Sequence, residues 1–234
     1  AGRTATRIAT GQYHACVIMD DGNVRCWGRG LDGRLGYGNV TSVGMTPATT
    51  PDTAGPVALG AGRKAIDIAA GADFTCVILD DGKVRCWGDN TYGKLGLGNT
   101  NDLGDNELPT AAATVNLGTG RTATQLAAGR DHMCAVLDNG RVLCWGRGVG
   151  GMLGSKNTTD VGDNETPGSR PTINLGEGPA AATVTPASSA LGSRLVGATG
   201  TPVTVTVMST GGSSVRATSI TLTVDTGQFA LNRG

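Results

Sequence analysis

The stretch CVIMDDGNVRCWG, residues 16–28, decides the fold of this chain, and two further copies follow it: CVILDDGKVRCWG at residues 76–88 and CAVLDNGRVLCWG at residues 134–146. In each copy, two β-branched runs flank an Asp-Asp-Gly or Asp-Asn-Gly triplet. This pattern is typical of a β-hairpin whose loop needs a glycine in the left-handed region. With the triplet as the loop, Cys16 faces Cys26 directly across the two strands. The sequence therefore predicts three hairpins, each with its two cysteines as cross-strand neighbours.

All six cysteines lie in these hairpins, two in each copy and at one constant spacing. An even number of locally paired cysteines predicts disulfides, and disulfides indicate an oxidising compartment. The alternative is metal ligation, but structural zinc sites favour Cys-x-x-Cys spacing and a fourth ligand, and the hairpins offer neither. The predicted disulfide cysteines are Cys16, Cys26, Cys76, Cys86, Cys134 and Cys144.

Composition narrows the class of protein. Among 234 residues there are 39 glycines and only 3% aromatics, which favours many short strands joined by tight turns. The 19 basic and 19 acidic residues balance, so there is no electrostatic signature of a nucleic-acid partner or an anionic membrane. No apolar run approaches the length of a membrane span. Because the chain starts at Ala1 without a methionine or a visible signal peptide, we expect a mature or excised product.

The repetition extends well beyond the hairpins. The stretch AGRTATRIATG at residues 1–11 has two counterparts, which begin at residues 61 and 119. The repeat unit is therefore about 58 residues long, and a unit of that length with about four short strands has the size of one propeller blade. Both faces of each hairpin are apolar, so each sheet must be covered on both faces, as a blade is by its neighbours. We divide this part of the chain into repeats at residues 1–60, 61–118 and 119–176.

Three motifs recur at one spacing: IATGQYHAC at residues 8–16, DDGNVRCWG at 20–28 and GRLG at 33–36. Their order and spacing resemble the regulator of chromosome condensation repeat. The resemblance implies a β-propeller, normally of seven blades, and the paired cysteines are similar to secreted bacterial versions of the repeat. Three blades do not close a ring, because propellers have at least four. Either the protein has further blades, or two or more chains assemble, for example three blades plus three, or the three sheets form an open stack.

The composition changes after residue 176. We predict a linker at 177–186, followed by strands where Val, Ile and Thr alternate, as at 202–208. Residues 187–234 resemble the opening strands of an Ig-like module of the abnormal-spindle and hydin type, which predicts a partial Ig-like β-sandwich. Its last strand would leave an unpaired edge, so we expect either that the chain is a fragment of a longer secreted protein or that a neighbouring subunit supplies a strand. The predicted fold class is all-β: three propeller-type antiparallel blades followed by this partial sandwich.

The long loops of the second and third repeats gather carboxylates around a glycine, and a hard cation such as Ca²⁺ requires oxygen-rich sets of this kind. The spacing is not that of an EF-hand, and the first repeat lacks the acids. Turn formation and side-chain capping explain the same residues without an ion. Bound calcium would raise the melting temperature. The candidate calcium ligands are Asp102, Asp105, Glu107, Asp160, Asp163 and Glu165; no other cofactor is predicted.

The two histidines, His14 and His132, share one repeat position and suggest a ligand pair at first. Phe74 takes that position in the second repeat, which indicates a packing role. The single tryptophan of each repeat likewise predicts core packing. The sequence contains no nucleophile elbow, phosphate loop or triad-like grouping, so we predict that the chain is not an enzyme.

The sequence thus predicts a secreted or cell-surface bacterial module that presents loops for binding a protein or a surface, without catalysis. Other propellers of this repeat act as a nucleotide-exchange factor for a small GTPase, a chromatin binder and a β-lactamase inhibitor. The nuclear roles conflict with the paired cysteines and the zero net charge. Two alternatives stay open: a structural subunit of an extracellular filament or assembly that polymerises by strand or blade complementation, and an inhibitor of an extracellular enzyme.

Overall fold

The computed structural model describes residues 2–175, 182–185 and 206–209. The chain divides into two compact units, Ala1–Ile173 and Asn174–Gly234. In the second unit, β10 (Ala182–Thr185) pairs antiparallel with β11 (Thr206–Ser209). The first of these strands lies in the segment that we predict as a linker, so that segment is partly strand. The rest of the predicted Ig-like sandwich lies outside the described residues.

In the first unit, each repeat forms one three-stranded antiparallel sheet whose strands follow chain order, and we call these sheets blades 1 to 3. The prediction of an all-β fold with three antiparallel blades is confirmed. The strands are β1 (Ala5–Thr10), β2 (His14–Met19) and β3 (Val24–Gly28) in blade 1; β4 (Ala65–Ala70), β5 (Phe74–Leu79) and β6 (Val84–Gly88) in blade 2; and β7 (Ala123–Ala128), β8 (His132–Leu137) and β9 (Val142–Gly146) in blade 3.

The expected fourth strand of each blade is reduced to an isolated bridge to the last glycine of the hairpin, as between Gly28 and Val43. The glycine-rich loops before and after each bridge leave too few consecutive extended residues for a strand. Helical structure in the described residues is short. It comprises α1 (Pro51–Ala54) and the 3₁₀ turns Leu31–Gly33, Thr91–Gly93, Pro109–Ala111, Val149–Gly151 and Pro167–Ser169. None of the helices in this part of the chain has the length and apolar character to cross a membrane.

The hairpins have the predicted register. In blade 1, Cys16 lies opposite Cys26 and Ile18 opposite Val24. Gly22 takes the left-handed conformation (φ 77°) and its N–H donates to Met19 O at 2.9 Å, which closes the loop. The cysteines form the pairs Cys16–Cys26, Cys76–Cys86 and Cys134–Cys144, with Cα–Cα distances of 4.1, 4.0 and 4.1 Å.

Each blade has two apolar faces. The cysteine face carries the disulfide, and the tryptophan face carries the tryptophan of the Cys-Trp-Gly end, because alternate residues of a strand point to opposite sides. One core cluster joins the cysteine face of blade 1 to the tryptophan face of blade 2, and a second joins blade 2 to blade 3 in the same sense. Each internal interface therefore pairs a cysteine face with the tryptophan face of the following blade.

Candidate functional site

The turn between the first two strands of a blade and the long loop after its third strand lie at the same end of the sheet. In blade 1, Arg29 N–H donates to Tyr13 O at 2.9 Å, and Asp89 and Arg147 make the equivalent bonds to Asp73 O and Asp131 O in the other blades. We call this end of the three blades the loop end. It collects all three long loops on one surface.

Neighbouring loops interlock at the loop end through glycines. Gly93, with φ 70°, lies so close to the loop of blade 3 that a Cβ there would come within 2.2 Å of Asp163 N. Gly33 approaches the loop of blade 2 in the same way, with a Cβ 2.2 Å from Gly104 C. Since these close approaches are to backbone atoms, the loops hold one another in place.

A buried cation connects each blade to the next. Arg34 is only 3% exposed, and its Nη1 lies 2.5 Å from Asp73 Oδ1 of blade 2. Lys94, 2% exposed, contacts Asp89 Oδ2 of its own blade at 2.6 Å and Asp131 Oδ1 of blade 3 at 3.7 Å. We call this cation and the aspartate of the next blade a latch.

The latch residues connect neighbouring blades, and the sequence patterns considered above did not identify them. Burial by itself raises the pKa of Asp89, but hydrogen bonds from Lys94 and Thr91 outweigh it and keep that pKa below its ordinary value. The signal was present in the sequence: a cation inside the otherwise apolar Gly-x-Leu-Gly motif, and an aspartate directly before Phe74 or His132 in the following repeat.

The histidine position packs on a glycine in every repeat. A Cβ on Gly11 would lie 2.2 Å from the His14 ring, and Phe74 and His132 cover Gly71 and Gly129 equally closely. The ring therefore occupies the space that a side chain at the glycine position would need, as the packing interpretation predicts.

His14 also lies at the interface between blades 1 and 2. Its Nε2 is 2.8 Å from Thr75 Oγ1, whose own hydroxyl donates to Arg34 O at 3.2 Å. Nε2 is therefore the donor, and in the neutral ring it is the nitrogen that carries the hydrogen. Nδ1 is buried and has no hydrogen-bond partner among the described residues. Protonation of Nδ1 would place a buried positive charge on the ring beside the positive charge of Arg34.

This burial, and then the neighbouring Arg34 charge, lower the pKa of His14 from 6.5 to about 4. Because the unfolded chain takes up a proton first as the pH falls, His14 supports stability fully above pH 6.5, and this support is lost between pH 6.5 and about 4. We expect a loss of at most about 3 kcal/mol across that window from this group. Denaturant unfolding at several pH values measures it.

The matched control is His14→Phe, which places the residue of blade 2 in blade 1. The variant should keep its stability at neutral pH and lose up to one proton's worth of pH dependence between pH 6.5 and 4. All other titratable groups are present in both proteins, so the difference between them isolates His14. An unchanged slope in the variant would contradict the assignment.

The loop end is acidic where blades 1 and 2 meet. Burial raises the pKa of Asp102, and the nearby carboxylates of Asp89, Asp32 and Asp105 raise it further. An open cleft of about 540 Å³, lined mainly by amide and carboxylate side chains, lies along the long loop of blade 2. Where blades 2 and 3 meet, Arg147 instead stacks over the Tyr92 ring at 4.8 Å.

Three of the candidate calcium ligands, Asp102, Asp105 and Glu107, line the cleft along the long loop of blade 2, and the other three lie in the long loop of blade 3. Among the described residues, no group of three or more His, Cys, Asp or Glu side chains is placed to hold a metal ion. Asp102 and Asp160 each accept a backbone N–H at the start of their loops, from Asn90 and Gly148 at 2.8 and 2.7 Å. Glu107 accepts from Gly104 N at 3.1 Å.

Two of the remaining candidates lie in the loop of blade 3. Glu165 pairs with Arg170 at 2.6 Å, and Asp163 Oδ1 is buried without a hydrogen-bond partner in the described part of the chain. Asp105 contributes to the acidic environment of Asp102. The turn and capping interpretation thus accounts for three of the six carboxylates, Asp102, Glu107 and Asp160.

Comparison with known proteins identifies the repeat. Two family models, both described as the regulator of chromosome condensation (RCC1) repeat, match the chain. One matches residues 5–34, 65–94 and 123–151, and the other matches 21–78 and 81–136. Together they span well over half of the chain, and all of the matched residues lie in the three blades.

The chain is also similar in sequence to individual proteins. The chain is 34% identical over 156 residues to the ultraviolet-B receptor UVR8 of Arabidopsis thaliana, covering 65% of this chain and 32% of the receptor. It is 30% identical over 158 residues to the human E3 ubiquitin-protein ligase HERC2, covering 66% of this chain and 3% of the ligase. The chain therefore spans at most about a third of these two relatives.

A solved structure shows the same fold. A chain in the crystal structure of Kap60 bound to yeast RCC1 (Prp20) superposes with a TM-score of 0.55 at 20% identity, covering 70% of this chain and 37% of that one. The family models match all three repeats and the superposition shows the same fold, and the chain belongs to the regulator of chromosome condensation (RCC1) repeat family.

Proposed function

We propose that this chain is a non-catalytic protein-binding module, secreted or displayed on a bacterial cell surface, and that the loop end is its recognition surface. The observation that carries the proposal is the mutual support of the long loops. The latches at Arg34 and Lys94 and the close approaches at Gly33 and Gly93 fix these loops on rigid sheets. Loops held by a rigid scaffold are the usual place for binding residues.

The side chains of the loop end suit a protein partner. Leu31, Val40, Tyr92 and Val149 are large apolar residues with 36–49% of their surface exposed. Leu31, Val40 and Tyr92 lie on the same loops as the acidic residues around Asp102, and Val149 lies on the loop of blade 3. Apolar and aromatic anchors with charged surroundings are the composition of protein interfaces.

The extracellular location rests on the cysteines. Three disulfides, one in each blade, and no free cysteine suit an oxidising compartment. In the reducing cytosol the same cysteines would be thiols.

Site-specific photo-cross-linking tests the recognition surface. A benzophenone amino acid replaces Leu31 at the loop end in one variant. In the control it replaces Ile66, which is 49% exposed on β4 at the opposite end of blade 2. Both proteins are irradiated with the culture medium and cell envelope of the producing organism. We expect one discrete cross-linked protein at Leu31 and none at Ile66; equal products at both positions would contradict the proposal.

The same experiment separates the inhibitor alternative. An inhibitor of an extracellular enzyme would cross-link to that enzyme through the loop end and lower its activity, whereas a scaffold would cross-link to a protein without a catalytic readout. The filament alternative does not use the loop end. It depends instead on the two sheet faces at the ends of the row of blades, the tryptophan face of blade 1 and the cysteine face of blade 3.

A further inference from the structure

The described blades have two open faces, the tryptophan face of blade 1 and the cysteine face of blade 3. Equivalent residues show the difference. Ile8 of blade 1 is 64% exposed, whereas Ile68 and Leu126, which hold its position in the next blades, are 8% and 7% exposed. Trp27 is partly exposed, whereas Trp87 and Trp145 are fully buried. On blade 3, Cys134, Val136 and Val142 are only half-buried.

The internal interfaces show what covers such faces. Trp87 Nε1–H donates to Arg34 O of the preceding blade at 3.0 Å, and Trp145 Nε1–H donates to Lys94 O at 3.0 Å. Trp27 Nε1–H has no acceptor within the described residues. The position of Arg34 and Lys94 is held in blade 3 by Met152, so Met152 O is the matching acceptor.

The backbone repeats this pattern. Gln12 N–H donates to Ala72 O at 3.1 Å, and Ala72 N–H donates to Arg130 O at 2.9 Å, so each blade donates to the next. In the part of the chain that the structure describes, Arg130 N–H has no such acceptor. The equivalent acceptor on blade 1 is Gln12 O. The two open faces therefore offer complementary donors and acceptors.

At the open faces, both members of the latch are replaced by uncharged residues. Tyr13, 52% exposed, stands where the other blades have the latch aspartate, and Met152, 39% exposed, stands where they have the latch cation. A thioether against an aromatic ring is a favourable contact. A cation opposite Tyr13 would instead be buried without a carboxylate, at a large cost in free energy. The two open faces thus suit each other better than they suit an internal blade of the latch type.

We propose that the open faces bind each other between two copies of this chain: the tryptophan face of blade 1 packs on the cysteine face of blade 3 of the second copy, with Tyr13 against Met152. This head-to-tail contact continues the internal interface in the same direction. Such a contact gives a closed ring or a filament when it is repeated. Two copies supply six blades, which is within the range of closed propellers. The proposal is independent of the loop-end function.

The first test is the mass of the full 234-residue chain by light scattering after gel filtration, over a concentration series up to about 100 μM. We expect a dimer or a larger particle that dissociates on dilution. Ile8→Glu should shift the protein to monomer, because it places a charge in the centre of the contact. The control Ile66→Glu changes an exposed isoleucine of blade 2 that lies outside both open faces, and it should leave the mass unchanged. A monomer at every concentration overturns the proposal.

A charge-pair rescue tests the register. Tyr13→Asp and Met152→Lys each place one unpaired charge at the contact, and each should raise the dissociation constant at least about tenfold. The double variant recreates the latch of the internal interfaces between copies, so it should restore association to within a few-fold of the wild type. Both positions are exposed in the single chain, so the fold is retained; circular dichroism checks this. A double variant that associates no better than the single variants contradicts the Tyr13–Met152 contact.

Discussion

Reduction of the three disulfides should unfold the blades at room temperature. Each disulfide joins cysteines at a sequence separation of 10, and closure of such a loop contributes roughly 3 kcal/mol by the chain-entropy estimate. Three of them together contribute on the order of 9 kcal/mol, which is comparable with the whole stability of a typical domain. Because Trp87 and Trp145 are fully buried, unfolding should shift the tryptophan emission to the red. The measurement is this emission with and without excess dithiothreitol.

Paired alanine variants divide the effect among the blades. Cys76→Ala with Cys86→Ala should cost more than Cys134→Ala with Cys144→Ala, because the first pair is enclosed between two blades and its removal also leaves a cavity. If thiol titration shows complete reduction while the native emission and melting temperature persist, the disulfides do not hold the fold. The argument for an oxidising compartment would then lose its physical basis.

Gly93→Ala should destabilise the chain by at least about 4 kcal/mol, which lowers the melting temperature by roughly 10 °C. The new Cβ would lie 2.2 Å from backbone atoms of Gly162 and Asp163, and the residue has φ 70°. Backbone atoms cannot rotate away as a side chain can, so the two loops must separate. Thermal unfolding followed by circular dichroism measures the loss.

The chain contains its own control for this substitution. Gly151 holds the same repeat position in blade 3 with φ 75°, but no atom lies within 4 Å of its hypothetical Cβ. Gly151→Ala should therefore cost only about 1 kcal/mol, the cost of the left-handed backbone. The difference between the two variants measures the interlock between loops. Equal losses would show that backbone conformation alone, without the interlock, accounts for both.

The sequence by itself determined the local structure of this protein. The hairpin triplet, the β-branched runs and the nine-residue spacing of the cysteines place Cys16 opposite Cys26, and the structure has that register. Alternation along the strands also predicted two apolar faces in each blade, and in blade 2 the internal interfaces cover both. These predictions succeed because strand pairing within a hairpin depends on residues close together in the chain.

Only the tertiary structure decided how the blades join. The Arg34–Asp73 and Lys94–Asp131 latches and the contact of Gly93 with Asp163 connect residues of different repeats, so no local pattern shows the distances. Within single repeats, the folded loops place Asp102 and Asp160 against backbone N–H groups, although their sequence also suits a cation. The packing of the blades also distinguished Trp27 from Trp87 and Trp145, which have the same sequence neighbours. The physical reason is that the burial and the charge pairing of a residue depend on the neighbouring blade. Repeats of similar sequence therefore acquire different environments only when the blades pack together.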